Sequence, residues 1–174
     1  SGSDDGKVKL WSTQESGAIM QIDVRVNVSS VCFSPSSSNT VAVGSADHMV
    51  RLYDLRNAAL PLTTFQGHCK AVSYVSFLSD NEVISASIDS TLRLWDVGDG
   101  SQVRTFTGHR NSRNFVGMSV DRDFIACGSE TSEVFVYCKA ISQPIATHPF
   151  CAAQQAGFIS ALAQCSLLCQ ARSY

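Results

Sequence analysis

Short runs of alternating apolar and polar residues recur along the chain, separated by turn-forming Ser, Asp, Asn and Gly. Alternation with a period of two is typical of β-strands that bury one face. The runs predict three successive sets of four strands: 28–33, 40–44, 49–53 and 62–65; 72–77, 82–86, 91–95 and 102–106; 115–120, 124–127, 133–137 and 145–147. Each set is predicted to form one antiparallel sheet.

One phrase returns four times within this pattern: GSDDGKVKLW, GSADHMVRLY, ASIDSTLRLW and GSETSEVFVY. The aromatic residues that close the phrase lie 42 residues apart: Trp11, Tyr53, Trp95 and Tyr137. A period in the low forties that ends in Trp-Asp, with Gly-His upstream, is typical of WD-repeat β-propeller blades. Gly67-His68 and Gly108-His109 supply the upstream pair.

The repeat therefore predicts an all-β fold, a partial propeller of about three and a half four-stranded blades. The predicted units are a partial blade at 1–27, then blades at 28–67, 68–108 and 109–150, and a degenerate tail at 151–174, where 158–163 is the candidate start of a further blade. Because the first phrase lacks its upstream half, the chain is expected to be part of a larger ring. Trp95 is expected to be the best-buried aromatic residue and Trp11 to be far more exposed.

The composition of the chain argues against several classes of function. The 13 basic and 15 acidic residues nearly balance, which argues against a nucleic-acid footprint over the whole surface. The seven cysteines are scattered and predict neither a disulfide framework nor a zinc site, and reduced thiols suit the nucleus or cytoplasm. No apolar run is long enough to span a membrane. Motifs for phosphate binding or metal catalysis are absent, so we expect no cofactor, no metal and no enzymatic activity.

Polar residues at fixed repeat positions indicate a structural hydrogen-bond network. The third unit contains His68, Ser85 or Ser87, Asp89 and Trp95, and we expect a chain from His through Asp and Ser to the indole N–H. A hydrolase using His68, Ser87 and Asp89 is the alternative. Asp5 and Asp47 repeat the position of Asp89. Thr131 and Tyr137 replace the Asp and Trp in the fourth unit, which predicts a weaker network there.

Six phrases go beyond the general repeat: VAVGSADH, YDLRN, KAVSYVSFLSDNE, DSTLRLWDV, RNFVGMSV and ACGSETSEVFVY. They resemble the WD-repeat domains of the plant constitutive photomorphogenic ubiquitin ligases and of their SPA (suppressor of phytochrome) partners. The resemblance implies a substrate-recognition module of a ubiquitin ligase complex in light signalling. In that family the propeller binds acidic Val-Pro motifs of transcription factors or photoreceptors.

The resemblance also implies roles for individual residues. The family's groove lysine falls on Lys70, its groove phenylalanine on Phe115, and the glycine of the second-strand phrase on Gly44. Tyr53-Asp54-Leu55-Arg56 is similar to the motif that docks on the cullin-ring ligase adaptor. An alternative is a non-catalytic scaffold that assembles with SPA-type partners or with this adaptor.

Repeat geometry adds a local positive rim to this picture. His48, Arg110 and Arg113 are expected on the face where the Gly-His loops open, together with Lys70. Such a rim suits an acidic peptide. We expect neither nucleic acid nor membrane as a partner, and we expect the protein in the nucleus and cytoplasm.

Overall fold

The computed structural model describes residues 1–150, so the predicted tail at 151–174 and its candidate strand at 158–163 lie outside the described residues. Fourteen strands occur in this range: β1 Lys7–Trp11, β2 Ala18–Asp23, β3 Val28–Phe33, β4 Thr40–Ser45, β5 Val50–Asp54, β6 Thr63–Phe65, β7 Val72–Ser79, β8 Glu82–Ser87, β9 Thr91–Asp96, β10 Gln102–Phe106, β11 Met118–Asp121, β12 Phe124–Gly128, β13 Glu133–Cys138 and β14 Ala146–Pro149. A single 3-10 turn, Leu55–Asn57, follows β5.

The strands form four antiparallel sheets in chain order. The first sheet is β1-β2, the second is β3-β4-β5-β6, the third is β7-β8-β9-β10 and the fourth is β11-β12-β13-β14. Four-stranded meanders that follow one another in this way confirm the all-β fold class predicted from the 42-residue period. No helix within residues 1–150 is long and apolar enough to cross a membrane.

Most strands match their predicted bounds to within one or two residues, and the largest difference is at the start of the fourth sheet. The first strand of the fourth sheet was expected over 115–120, and it begins at Met118 instead. The Gly128 N–H still donates to the Gly117 carbonyl at 2.9 Å, but the preceding backbone is drawn towards the side chain of Glu130. Phe115 therefore lies in a loop before β11 rather than in a strand.

Three separate cores lie between consecutive sheets. The first and second sheets share Val8, Ile22, Val24, Val28, Val41, Val43 and Tyr53. The second and third sheets share Ala42, Val50, Leu52, Phe65, Val72, Val75, Phe77, Val83 and Trp95. The third and fourth sheets share Ile84, Ala86, Leu92, Leu94, Phe106, Val116, Met118, Ile125, Cys127 and Tyr137. Full burial of one large apolar side chain stabilises by roughly 1.5–3 kcal/mol, so each sheet depends on its neighbour.

The closing aromatic residue of the second, third and fourth sheets packs against the sheet before it. Tyr53, Trp95 and Tyr137 belong to the cores that their sheets share with the preceding sheet. Trp11 occupies the same position in the first sheet and is 55% exposed, whereas Trp95 is 1% exposed. This contrast confirms the expected difference between the two tryptophans. The expectation that Trp95 would be the best-buried aromatic residue is wrong by a small margin, because Phe106 and Tyr137 are 0% exposed.

Candidate functional site

The loops between strands lie at two opposite edges of the sheets. The upper edge is where β3, β7 and β11 begin, and it carries the segments 46–49, 68–71, 88–90, 110–117 and 129–132. The lower edge is where those strands end, and it carries 34–39, 55–62 and 121–123. Strand topology alone assigns Lys70, Arg113, Phe115 and His48 to the upper edge and Arg56 to the lower edge.

A continuous hydrogen-bond chain in the third unit joins the buried side chains of Trp95, Ser85 and His68 to the partly buried Asp89. The Trp95 indole N–H donates to Ser85 Oγ at 2.8 Å, and Ser85 Oγ lies 2.8 Å from His68 Nε2. His68 Nδ1 lies 3.0 Å from Asp89 Oδ2. Because the Asp89 carboxylate can only accept, His68 Nδ1–H donates to it, and in that tautomer Nε2 accepts the Ser85 hydroxyl hydrogen. The order Trp, Ser, His, Asp corrects the predicted order, in which Asp lay between His and Ser.

Asp89 anchors the upper-edge loop at the end of this chain. Burial raises the pKa of its carboxyl group, but hydrogen bonds from His68 and Thr91 and from the Cys69 N–H outweigh that effect and hold the pKa well below its usual range. The Cys69 N–H donates to Oδ2 at 3.0 Å, and the Thr91 hydroxyl donates to Oδ1 at 2.6 Å. The carboxylate therefore stays charged and ties the loop before β7 to the turn before β9.

The alternative interpretation, a hydrolase, fails on access. Ser85, His68 and Asp89 have the spacing of a catalytic triad, but the Ser85 side chain is fully buried and accepts the Trp95 N–H. No substrate carbonyl can reach it. Ser87 is also buried, and its hydroxyl donates to the Lys70 carbonyl at 3.0 Å. The geometry supports a structural network.

The second sheet replaces this network with a different one. Val43 lies 42 residues before Ser85 in the sequence, so the serine position is apolar there. Asp47 instead accepts a 2.5 Å hydrogen bond from Ser45 and pairs with Arg51 at 2.5 Å. Burial raises the pKa of Asp47, but the hydrogen bonds from Arg51 and Ser45 lower it overall. Asp47 thus stabilises the β4–β5 turn that carries His48.

The fourth sheet has a shorter network. Cys127 occupies the serine position, and the His109 Nδ1 atom bonds directly to the Tyr137 hydroxyl at 2.9 Å. No partner within residues 1–150 contacts the buried His109 Nε2. Burial lowers the pKa of His109 to about 4. Thr131, in the aspartate position, bonds to Ser129 and not to His109, which agrees with the predicted weaker network.

Gly44 marks a close approach between the second and third sheets. A Cβ atom added at Gly44 would lie 2.8 Å from Val72 Cγ1. That distance is shorter than side chains tolerate, so a larger residue here would push the sheets apart. The glycine belongs to the packing between sheets and makes no hydrogen bond of the Trp95 network.

Lys70 and the loop before β11 are linked through the backbone. Ser87 donates to the Lys70 carbonyl, and the Asn111 side chain donates to the Ser87 carbonyl at 3.3 Å. Ser90 Oγ also donates to the Asn111 carbonyl at 2.7 Å. Two neighbouring blades therefore hold their upper-edge loops together. The Lys70 side chain itself is exposed.

Phe115 and Arg113 are surface residues of the same loop. Phe115 is 52% exposed, so it is not a core residue despite its position next to a strand. Arg113 is exposed and borders an open cleft of about 460 Å³ that is lined by Arg110, Ser112, Arg113, Asn114, Glu130 and Thr131. Glu130 is not among the predicted site residues, because no repeat position marks it.

The acidic residues of the upper edge, Asp47, Asp89 and Glu130, are all engaged in hydrogen bonds, whereas its lysine and arginine side chains are not paired in the part of the chain that the structure describes. The side chains of Lys70, Arg110 and Arg113 form no ion pair with any residue in the described range 1–150. His48 is exposed at the tip of the β4–β5 turn, where its φ is 74°. The upper edge thus offers unpaired cations and an exposed aromatic ring, which together suit an anionic peptide with an apolar residue.

The adaptor-like motif lies at the lower edge. Tyr53 is buried in the core, and Asp54 caps the 3-10 turn by accepting the Arg56 N–H at 2.9 Å. Arg56 is 74% exposed and also pairs with Asp54 through its side chain at 2.6 Å. Hydrogen bonds from the Arg56 side chain and backbone lower the pKa of Asp54 to about 2. Arg56 is thus the exposed residue of this motif, and the partly buried Asp54 holds its guanidinium.

Known proteins with similar sequences include WD-repeat proteins, as the 42-residue repeat predicts. The chain is 57% identical over 150 residues to the E3 ubiquitin-protein ligase COP1 of Arabidopsis thaliana, covering 86% of this chain and 22% of that protein. It is 49% identical over 156 residues to Protein SPA1-RELATED 3 of Arabidopsis thaliana, covering 86% of this chain and 18% of that protein. It is 44% identical over 154 residues to the WD repeat-containing protein RUP2 of Arabidopsis thaliana, covering 83% of this chain and 42% of that protein.

These relatives are all longer than the present chain, which spans about a fifth of the length of the first two. A family model, the β-propeller of the nucleolar protein 10-like N-terminal domain, matches residues 1–140. That match covers most of the chain and most of its four sheets. The chain therefore belongs to this β-propeller family, and its homologues are COP1, SPA and RUP proteins of plants.

Proposed function

We propose that this propeller segment is the substrate-recognition part of a ubiquitin ligase complex in light signalling. Its ligands would be linear peptides with a Val-Pro core preceded by acidic residues, as found in regulatory proteins such as transcription factors or photoreceptors. The observation that carries the proposal is the upper edge, where Lys70, Arg113 and Phe115 are exposed on adjacent blades. The similarity to the relative named as a ubiquitin ligase supports it.

The chemistry of the upper edge fits such a peptide. An exposed aromatic ring provides apolar contact for Val and Pro, and aromatic anchors often dominate the energy of an interface. Free cations steer an acidic segment during approach and fix its register. His48 and Arg110 extend the same positive rim. The segment contributes binding alone, so ubiquitin transfer belongs to other parts of such a complex, in the nucleus and cytoplasm.

Charge reversal at Lys70 tests the proposal. We expect Lys70→Glu to weaken binding of a fluorescein-labelled acidic Val-Pro peptide by about tenfold or more, because an attractive charge becomes repulsive. Arg122→Glu is the matched control, since Arg122 is exposed on the lower edge. Fluorescence anisotropy on the native protein measures both. Equal affinity of wild type and Lys70→Glu would contradict the groove assignment.

A second candidate function is supported by the lower edge. The exposed Arg56 guanidinium, held by Asp54, suits a scaffold that docks on a cullin-ring ligase adaptor or assembles with an SPA-type partner. A guanidinium presents a fixed fork of donors that a lysine does not. Pull-down of the adaptor with Arg56→Ala is expected to recover less adaptor, with exposed Arg25→Ala as the control. Undiminished recovery would rule out this role of Arg56.

A further inference from the structure

Glu130 holds the loop before β11 from the opposite side of the cleft. Its Oε1 atom accepts the backbone N–H of Arg113 at 2.7 Å and that of Asn114 at 2.8 Å. The Asn114 side-chain amide donates to the same oxygen at 3.2 Å, and the Ser112 hydroxyl donates to Oε2 at 2.9 Å. One carboxylate thus satisfies four donors on three consecutive residues.

The backbone on either side strengthens this contact. The Glu130 N–H donates to the Arg110 carbonyl at 2.9 Å, and Ser129 Oγ donates to the same carbonyl at 3.0 Å. The Arg110 N–H donates in turn to Ser129 Oγ at 3.2 Å. Residues 110–117 have no strand ladder of their own, because β11 begins only at Met118. Contacts of Asn111 with Ser87 and Ser90 hold the start of this loop, and Glu130 and Ser129 hold it from the β12–β13 turn; within residues 1–150, Glu130 alone reaches residues 112–114.

The Glu130 charge is used by these donors rather than by the neighbouring arginines. Burial raises the pKa of its carboxyl group, but hydrogen bonds from the Asn114 and Arg113 N–H groups and from Ser112 lower the pKa to about 2. Neither Arg110 nor Arg113 pairs with Glu130 or with another acidic residue in the described range 1–150. Both guanidinium groups stay available at the cleft that they line.

We propose that Glu130 is a positioning residue for peptide recognition at the upper edge. It fixes residues 112–114, so that Arg113 and Phe115 are oriented before a peptide arrives. A loop that is ordered in advance avoids part of the conformational entropy cost of binding. This inference rests on the proposed function, and it requires no contact between Glu130 and the peptide.

The test separates acceptor geometry from charge. Glu130→Ala removes all four acceptor contacts, and we expect it to weaken binding of the labelled acidic Val-Pro peptide to the native protein by about tenfold. Glu130→Gln is expected to stay within about twofold of wild type, because its amide oxygen still accepts from Arg113 and Asn114. Glu133→Ala is the matched control, since Glu133 accepts only from Thr131 among the contacts described and does not hold this loop.

A second measurement follows the loop without any peptide. Hydrogen exchange at the Arg113 and Asn114 amides should become at least about tenfold faster in Glu130→Ala and remain near wild type in Glu130→Gln. Glu130→Asp, one methylene shorter, should weaken peptide binding by about fivefold, and it replaces the alanine variant if that variant does not fold.

The outcomes distinguish the two proposals. Wild-type affinity in Glu130→Ala, or a loss in Glu130→Gln as large as in Glu130→Ala, would overturn the positioning role. Unchanged amide exchange in Glu130→Ala would overturn it as well. If the wild-type protein does not bind the peptide while the exchange difference is present, the proposed function is wrong, and Glu130 fixes the loop for another purpose.

Discussion

Replacement of Ser85 by alanine is expected to destabilise the protein more than the loss of one surface hydroxyl would. The Ser85 hydroxyl is the middle of the Trp95–Ser85–His68 chain, and all three side chains are buried. Alanine leaves the Trp95 indole N–H and the His68 Nε2 atom without partners. An unsatisfied buried polar group costs about 1–3 kcal/mol, so two of them predict a loss of about 2–6 kcal/mol in the free energy of unfolding.

A double-mutant cycle isolates the contribution of the indole. Trp95→Phe removes the donor together with part of the ring, and in that background Ser85→Ala leaves only His68 unpaired. The second substitution should therefore cost about 1–2 kcal/mol less in the Trp95→Phe protein than in the wild type. Urea denaturation followed by circular dichroism measures all four variants. A cost of Ser85→Ala below about 1 kcal/mol, or no coupling to Trp95, would refute the proposed network.

Two further predictions concern packing and pH. Gly44→Ala should lower the free energy of unfolding by about 1–3 kcal/mol, because the added Cβ would lie 2.8 Å from Val72 Cγ1. Urea denaturation measures this change, and an unchanged midpoint of unfolding would contradict the close contact. Folding lowers the pKa of His109 from 6.5 to about 4. Between these pH values the unfolded chain binds a proton at His109 more readily than the folded protein does. The free energy of unfolding should therefore fall as the pH decreases from 6.5 to about 4. In His109→Phe, thermal melts over this pH range should show a flatter dependence, and an identical slope would exclude His109 as a source.

Much of the fold could be predicted because its determinants are local and repeat. The alternation of apolar and polar residues identifies each strand, and the 42-residue period orders the strands into successive sheets. The position of Trp95 relative to Gly67-His68 predicts that a polar network exists in the third sheet. Even the contrast between Trp11 and Trp95 follows from the number of neighbouring sheets, and the structure confirms it.

The sequence did not decide which serine joins the Trp95 network or whether the Phe115 ring is exposed, and the tertiary structure decides both. Ser85 and Ser87 lie two residues apart on β8, so strand alternation gives them the same face and does not choose between them. The structure assigns Ser85 to the network because the Trp95 indole reaches it, whereas Ser87 is beside the Lys70 carbonyl. The sequence predicts that Phe115 lies in a strand, but in the structure it lies in a loop and its ring is exposed.

The sequence by itself therefore determined the class of fold, the strand order and the edge on which Lys70 and Arg113 lie. The tertiary structure alone decided how the loop of Arg113 is held. Glu130 lies 17 residues after Arg113, at a position with no counterpart in the repeat signature, and their contact depends on how two loops meet at the end of the fourth sheet. The alternation of apolar and polar residues predicts which face of a strand is buried, and the 42-residue period predicts the order of the strands. Neither pattern predicts which backbone N–H groups a carboxylate in a loop will contact.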